Sequence, residues 1–450
     1  MYIKTTLFCI LLIKITHISI VYSLIFGVSM LQIISENQYL LDILNKNPKS
    51  DNGLYLTCHK EGVVVGQVVD NNTYNCYFIE KGNSYYQDES DQLEYESLCS
   101  PLMYCDLITE LFYKHLLQCN KYDSKIPWLN KTFRELDNTQ SKIIINNLAI
   151  KSKSNVKLLQ NTFVDNIVIN HKLGYLYELE LTSDSIFVNL NQVITILIML
   201  FYNDRPENKP FVNDEYLKKY TSGLSNSTIV NYNFICRFVR SIFISIEQFN
   251  RICPKFDNFE LNFYDNKTVR NRKICEEVDL YNNVLDIGCG WFDYYKRLTK
   301  MGFRNQYFAN DIIDKSIKVR ELNERYKINN LVWVDSLDKM LDFNGTIIFT
   351  EVIEHLEYND AIDLLQKILK LSFKQLFITT PNKDFNVNYG LKDNEFRHDD
   401  HKFELTFDEF QQVIRENTVR QCKTVTIHFT QIGDTINGIS STSYAKIVRI

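Results

Sequence analysis

The 450-residue sequence has no Cys-x-x-Cys pair, although it contains eleven cysteines. Structural zinc sites draw on such thiol pairs, so a zinc ribbon or finger is excluded as the organising element. An odd number of scattered cysteines in a chain this long makes no disulfide framework either, and points to a reducing, cytoplasmic setting. Internal repeats and low-complexity tracts are absent. A strong net charge is also lacking, the formal value being −5. That balance argues against a long non-specific groove for nucleic acid and leaves room for a local patch or an end-on grip. What is present is an ordinary apolar share, 45%, enough to bury a core, and a length that suggests two or three domains.

Residues 1–29 stand apart. The stretches 7–13 and 18–28 are mostly apolar, interrupted by Lys14 and His17 and preceded by Lys4. Three readings are open: a signal peptide or anchor, an upstream extension with Met30 as the working start, or a core helix. Membrane association is expected only if this stretch is an anchor. Residues 30–220 predict an α+β domain, with strands at 55–58, 62–69 and 143–149 and helices at 102–117 and 155–163. A strand at 186–190 and a buried helix or strand at 192–201 complete it. Residues 221–264 predict a helical connector. From 265 to 450 the rhythm changes. Apolar strands at 283–287, 306–309, 331–334, 345–349 and 375–379 alternate with helices at 291–301, 313–326 and 358–371. That alternation predicts an α/β fold with a doubly wound, mostly parallel sheet, closed on one edge by an antiparallel pair at 424–429 and 444–448.

The first of these strands runs into Asp286-Ile-Gly288-Cys289-Gly290. Two glycines allow a tight turn and close approach of backbone to a ligand. A bare Gly-x-Gly is a weak signal, which nucleotide dehydrogenases share. The carboxylate of Asp286 separates the cases: it suits the ammonium group of S-adenosylmethionine (SAM) and would repel a pyrophosphate. Asp311, at the end of the next strand, could accept both ribose hydroxyls or simply cap a helix. Ser336, in the loop after the third strand, is placed to meet an adenine, with capping again the alternative.

The fourth strand feeds directly into Glu351-Val-Ile-Glu354-His355. If this were one helical turn, Glu354 and His355 would share a face with Glu351. Further on, His398-Asp-Asp-His401 offers a fourth ligand. Two carboxylates and two imidazoles suit a divalent cation with positions left open. The nitrogens favour Mn²⁺, Fe²⁺ or Co²⁺, whereas oxygens alone would suit Mg²⁺.

These motifs resemble the small-RNA 3'-terminal 2'-O-methyltransferases, which act on plant microRNAs, animal Piwi-bound RNAs and bacterial broken RNAs. The carriers are Asp286-Ile-Gly-Cys-Gly, Glu351-Val-Ile-Glu-His-Leu356, Thr380-Pro-Asn-Lys-Asp-Phe-Asn386, and Arg397 with Asp400-His-Lys-Phe-Glu404. The resemblance covers residues 265–450 and implies a Rossmann-like SAM methyltransferase domain. It implies that Glu351, Glu354, His355 and His401 hold one divalent cation, Mg²⁺ or Mn²⁺, and that SAM is the donor. His398 matches a variable position near the RNA end. Leu405 replaces a tryptophan found in many members, and Trp291 an acidic residue. The front half is faintly similar to the amino-terminal domain of the bacterial members, through 40–48, Ser100-Pro-Leu-Met-Tyr104 and Tyr202-Asn-Asp204.

The implied reaction methylates the 2'-hydroxyl of the last nucleotide, with His398 or a ligand histidine as base. RNA is the expected substrate and DNA is not. Arg397, Lys402 and the Arg270/Arg272 pair are candidate phosphate contacts. An Argonaute/Piwi-type protein or an RNA-repair ligase is the expected partner. The alternatives are a subunit serving such a ligase complex, a non-catalytic scaffold, and a SAM enzyme acting on a small molecule or lipid.

Overall fold

The computed structural model describes residues 30–44, 54–59, 62–80, 99–116, 125–126, 131–137, 139–203, 213–256, 258–422 and 424–450. The apolar stretch 1–29 lies outside them. The chain forms two compact units, Met1–Pro254 and Lys255–Ile450. The division falls within 221–264, the stretch expected to be a connector.

In the first unit the strands are β1 (Leu31–Ser35), β2 (Leu54–His59), β3 (Gly62–Asp70), β4 (Thr73–Glu80), β5 (Lys125–Ile126), β6 (Lys131–Thr132), β7 (Ser141–Ala149), β8 (Ile167–Leu173) and β9 (Leu176–Ser183). Seven of them make one antiparallel sheet in the order β2-β3-β4-β1-β7-β9-β8. The unit is α+β, as expected. Its core helix is Ile186–Asn203, of which 83% is buried. The sequence suggested a strand and then a second element there. One helix forms instead because Asp137 accepts hydrogen bonds from the amides of Ile186 and Phe187 and from Ser185 Oγ, closing the helix start. Asn189 buries its amide against the carbonyls of Ser141 and Leu181. The helix is buried on nearly all sides, so no amphipathic period marked it. Helices Asp214–Asn226 and Tyr232–Ile242 pack on it, so most of the expected connector belongs to this unit.

The second unit holds β10 (Phe259–Glu260), β11 (Asn283–Ile287), β12 (Tyr307–Asn310), β13 (Leu331–Trp333), β14 (Gly345–Thr350), β15 (Gln375–Pro381), β16 (Val425–Ile436) and β17 (Ile439–Arg449). The sheet order is β10-β16-β17-β15-β14-β11-β12-β13. Strands β11 to β15 run parallel, and β17 and β16 return antiparallel along one side. All six residues of β14 are buried, the continuous apolar run that a strand covered on both faces requires. One face packs Ile347, Phe349, Ile368 and Phe410; the other packs Val284, Tyr295, Ile348 and Phe377. Chain order reverses between β11 and β14, which are neighbours. In an open α/β sheet the crevice at the carboxyl ends of such a strand pair is where ligands bind.

Candidate active site

Both chemical motifs leave the sheet at this crevice. After β11 the chain turns at Gly288 (φ +75°) and Gly290 (φ +51°), left-handed conformations that favour glycine. The amides of Gly288 and Cys289 donate to Asn310 O, at 2.9 and 3.0 Å. A methyl group on Gly288 would stand 2.3 Å from Val352 Cγ2. The glycine loop and the turn after β14 are therefore in direct contact. Asp286 is buried and accepts a hydrogen bond from Tyr307 Oη at 2.6 Å. Burial pushes its carboxyl up to about 7, against the opposing effect of Tyr307.

Asp311 binds Lys315 Nζ at 2.6 Å and the Gly290 amide at 2.9 Å. Burial works to raise it, but those partners and the Ile313 amide hold it below the usual carboxylate range. It thus ties the second strand to the glycine loop. Cys289 is buried, and burial pushes its thiol well up, so this residue offers backbone rather than a thiolate. Ser336 accepts from the Asp338 amide and caps the short helix Leu337–Met340, the alternative weighed for it.

The metal motif is not a turn of α-helix. Glu351 takes φ +53°, and Ile353–His355 is a single 3₁₀ turn. The Glu351 amide still pairs with Thr379 O at 2.9 Å, so the strand continues one residue further than a helix start would allow. Glu354, His355 and His401 come together, one ligand atom from each lying within 4.8 Å of the others. Glu351 stands aside from this group. Its Oε1 accepts from Thr379 Oγ1 at 2.9 Å, and its Oε2 pairs with Arg270 Nη1 at 2.9 Å. Glu354 is 1% exposed; its Oε2 accepts from Thr380 Oγ1 at 3.0 Å, and its Oε1 has no hydrogen-bond partner among the described residues. Burial, then the charge of Glu351, pushes the Glu354 carboxyl well up. A buried, half-satisfied carboxylate facing two imidazoles is the environment a cation relieves.

Outer groups orient these ligands. His401 Nδ1 lies 2.6 Å from Glu404 Oε1, which leaves Nε2 for an ion. Glu404 is held in turn by Asn386 Nδ2 and by the Arg397 amide. His355 Nδ1 lies 3.1 Å from Asp400 Oδ2. The Lys402 amide donates to Glu354 O at 2.7 Å, joining the two ligand loops. The rings of His398 and His401 are 5.1 Å apart, and His398 is exposed at the rim.

Residues 30–260 match the family model of the Hen1 N-terminal domain. A chain in the solved structure of the Pnkp1/Rnl/Hen1 RNA repair complex is 30% identical, with a TM-score of 0.79; the match covers 93% of this chain and 100% of that one. The chain belongs to the Hen1 family. Curated small RNA 2'-O-methyltransferases of Caenorhabditis elegans and Drosophila melanogaster are also similar, 36% identical over 75 residues and 27% over 180 residues. Those matches cover 16% and 34% of this chain, and only 17% and 45% of the relatives, so the chain spans less than half of their length.

Within this Hen1-family chain, two of the expected phosphate contacts are committed elsewhere. Arg397 donates to Asn386 Oδ1 and Ser441 O, both at 2.6 Å, and to Asn382 O. It also stacks over Phe385 and Tyr389. It clamps its own loop to two other segments, 382–389 and the strand at Ser441. Arg270 is paired with Glu351, and its side chain is 12% exposed. Arg272 lies over the Tyr264 ring and near Glu276, while Lys402 remains exposed. Thr380, Asn386 and Glu404 carried the family resemblance, but their orienting roles needed the fold.

The burial of Asp286 has a measurable consequence in the cofactor-free protein. A carboxyl whose folded pKa is raised contributes stability fully below its unfolded pKa, and that contribution is lost as pH rises through the folded value, about 7. Stability relative to an Asp286→Asn variant should therefore turn against the native residue between about pH 4 and pH 8. Urea unfolding of both proteins across that range checks it, and a pH-independent difference would refute the buried, protonated state.

Proposed function

We propose that this chain transfers the methyl group of SAM to the 2'-hydroxyl of an RNA's 3'-terminal nucleotide. The observation that carries the proposal is the convergence of Glu354, His355 and His401 within 4.8 Å on a turn that touches the glycine loop through Val352 and Gly288. Asp286 meets the cofactor's ammonium and Gly288 and Gly290 admit its backbone-facing edge. Asp311 braces that loop through the Gly290 amide and, just after β12, is the carboxylate that would accept the ribose hydroxyls. Glu354, His355 and His401 would hold a divalent cation, and Glu351, the second carboxylate of the same turn, is the fourth candidate ligand. When bound, such a cation acts as a Lewis acid and lowers the pKa of a hydroxyl. Thr380 and Glu404 keep Glu354 and His401 in place. His398, exposed beside His401, would accept the 2'-hydroxyl proton as the oxygen–methyl bond forms; the methyl–sulfur bond of SAM would break in the same step and S-adenosylhomocysteine would leave.

The partner favoured by the two-unit architecture is an RNA-repair ligase, because a relative that matches 93% of this chain, across both units, sits in an RNA repair complex. A silencing role beside an Argonaute or Piwi-type protein is the second reading, favoured by the small-RNA relatives. A cytoplasmic location goes with either.

Methyl transfer from labelled SAM to a synthetic RNA tests the activity. The full chain should label an RNA ending in an ordinary ribose, with Mn²⁺ or Co²⁺ better than Mg²⁺, given two nitrogens in the ligand set. An otherwise identical RNA with a 2'-deoxy last nucleotide should take no label. Equal labelling of the two, or full activity in chelator, would reject the proposal.

A further inference from the structure

Two neighbouring carboxylates in the metal turn are treated very differently. Glu354 keeps an orphan oxygen among the described residues, whereas both oxygens of Glu351 are engaged, one by Thr379 and one by Arg270. Arg270 comes from helix Asn266–Glu277, outside the glycine-loop and metal-turn motifs. Its side chain is largely buried, and its Nε has no partner among the described residues. The electrostatic partners of the guanidinium are Glu351, then Tyr294, then Glu354. A buried guanidinium loses heavily if its one ion pair is removed.

We propose that Arg270 is a positioning residue that competes with the cation for Glu351, and so sets how tightly the site takes its metal. With no ion bound, Arg270 neutralises the carboxylate pair and draws Glu351 away from Glu354, whose like charge would otherwise repel it. Glu351 can enter the ligand set only by giving up Arg270. The affinity of the site is therefore reduced by the strength of that pair, while the turn stays formed without metal. This inference rests on the metal reading of Glu354, His355 and His401 given above.

Calorimetric titration of the metal-free full chain with Mn²⁺ tests it without any activity readout. Arg270→Gln should bind Mn²⁺ about tenfold or more tightly than the native chain, since a competing charge is gone from a partly dry site. Glu351→Gln alone should bind more weakly. In the Glu351→Gln background the Arg270→Gln substitution should gain less than about threefold, because its effect runs through Glu351. Arg270→Lys keeps the charge but not the fork, and should gain about threefold; it also serves if the glutamine variant does not fold. Unchanged or weaker binding in the folded Arg270 variants, or a gain that survives without Glu351, overturns the inference. Absence of Mn²⁺ binding in the native chain instead overturns the metal reading itself.

Discussion

Glu354→Gln is expected to stop methyl transfer while leaving the metal-free protein at least as stable as the native one. The two effects have one cause. Glu354 is buried with one oxygen bound to Thr380 and the other unpartnered among the described residues, and burial and Glu351 both oppose its ionisation. Folding thus places a carboxylate where it destabilises the empty site. Replacing it with a neutral amide of the same shape removes the like-charge contact with Glu351 and keeps an acceptor for Thr380, which should raise stability by about 1 kcal/mol. The same substitution removes the one buried anionic ligand of the trio. Loss of an outer-shell partner of a metal ligand already costs up to about a hundredfold in affinity or activity, so loss of the ligand should cost more. SAM binding, assigned in the proposal to Asp286 and the glycine loop, should be spared. Turnover, SAM affinity and urea unfolding in chelator are the three measurements. A variant that turns over normally removes Glu354 from the site, and a clear loss of stability in chelator contradicts the account of the empty site.

A 3'-phosphate or a 2',3'-cyclic phosphate on the RNA should block methylation. The cyclic phosphate has no free 2'-hydroxyl. The 3'-phosphate keeps the nucleophile but brings a dianion to a rim that already holds Asp399 and Asp400, with Glu354 and Glu351 behind them. Repulsion and bulk together displace the 2'-oxygen, and a displacement of about 1 Å can cost on the order of a hundredfold in rate. A 3'-deoxy end should also react poorly, because it lacks the second of the two vicinal hydroxyls. One oligonucleotide with four different 3' ends, scored by methyl transfer, gives the answer. Efficient labelling of the 3'-phosphate end, or of an internal 2'-hydroxyl, would show that the end is not what this site recognises.

Much of the second unit is legible in the residues alone. Strands β11, β14 and β15 are apolar runs buried on both faces, and glycines or charged loops punctuate them. The first unit is less legible. Strand β1 alternates in burial but has only five residues, too short a run to stand out, and β8 is exposed along most of its length, so it lacks the alternation that marks a half-buried strand. The helix Ile186–Asn203 hides its period because it is covered on all sides. In the site, chemistry-bearing residue types and their spacing point to Asp286, Glu354, His355 and His401. Two things lie beyond such a pattern. The left-handed turn at Glu351 sends its side chain to Arg270, eighty-one positions earlier in the chain. The hydrogen bond from Thr380 to Glu354 depends on which loops the fold brings together, and that between Glu404 and His401 on the local course of a single loop.

The Arg397 clamp bears on when the entropy of the site is lost. Residues 390–405 contain no α-helix and only an isolated bridge at Leu405, yet Arg397 ties them to Asn382, Asn386 and Ser441, and Glu404 fastens His401 within them. Ordering a free segment costs about 1–2 kcal/mol per residue in backbone freedom alone. Here that cost falls on the folding of the domain, long before any ligand arrives. On the proposed reading, an incoming RNA end would meet a rim already ordered, and its binding energy would not be diverted into arranging the loop.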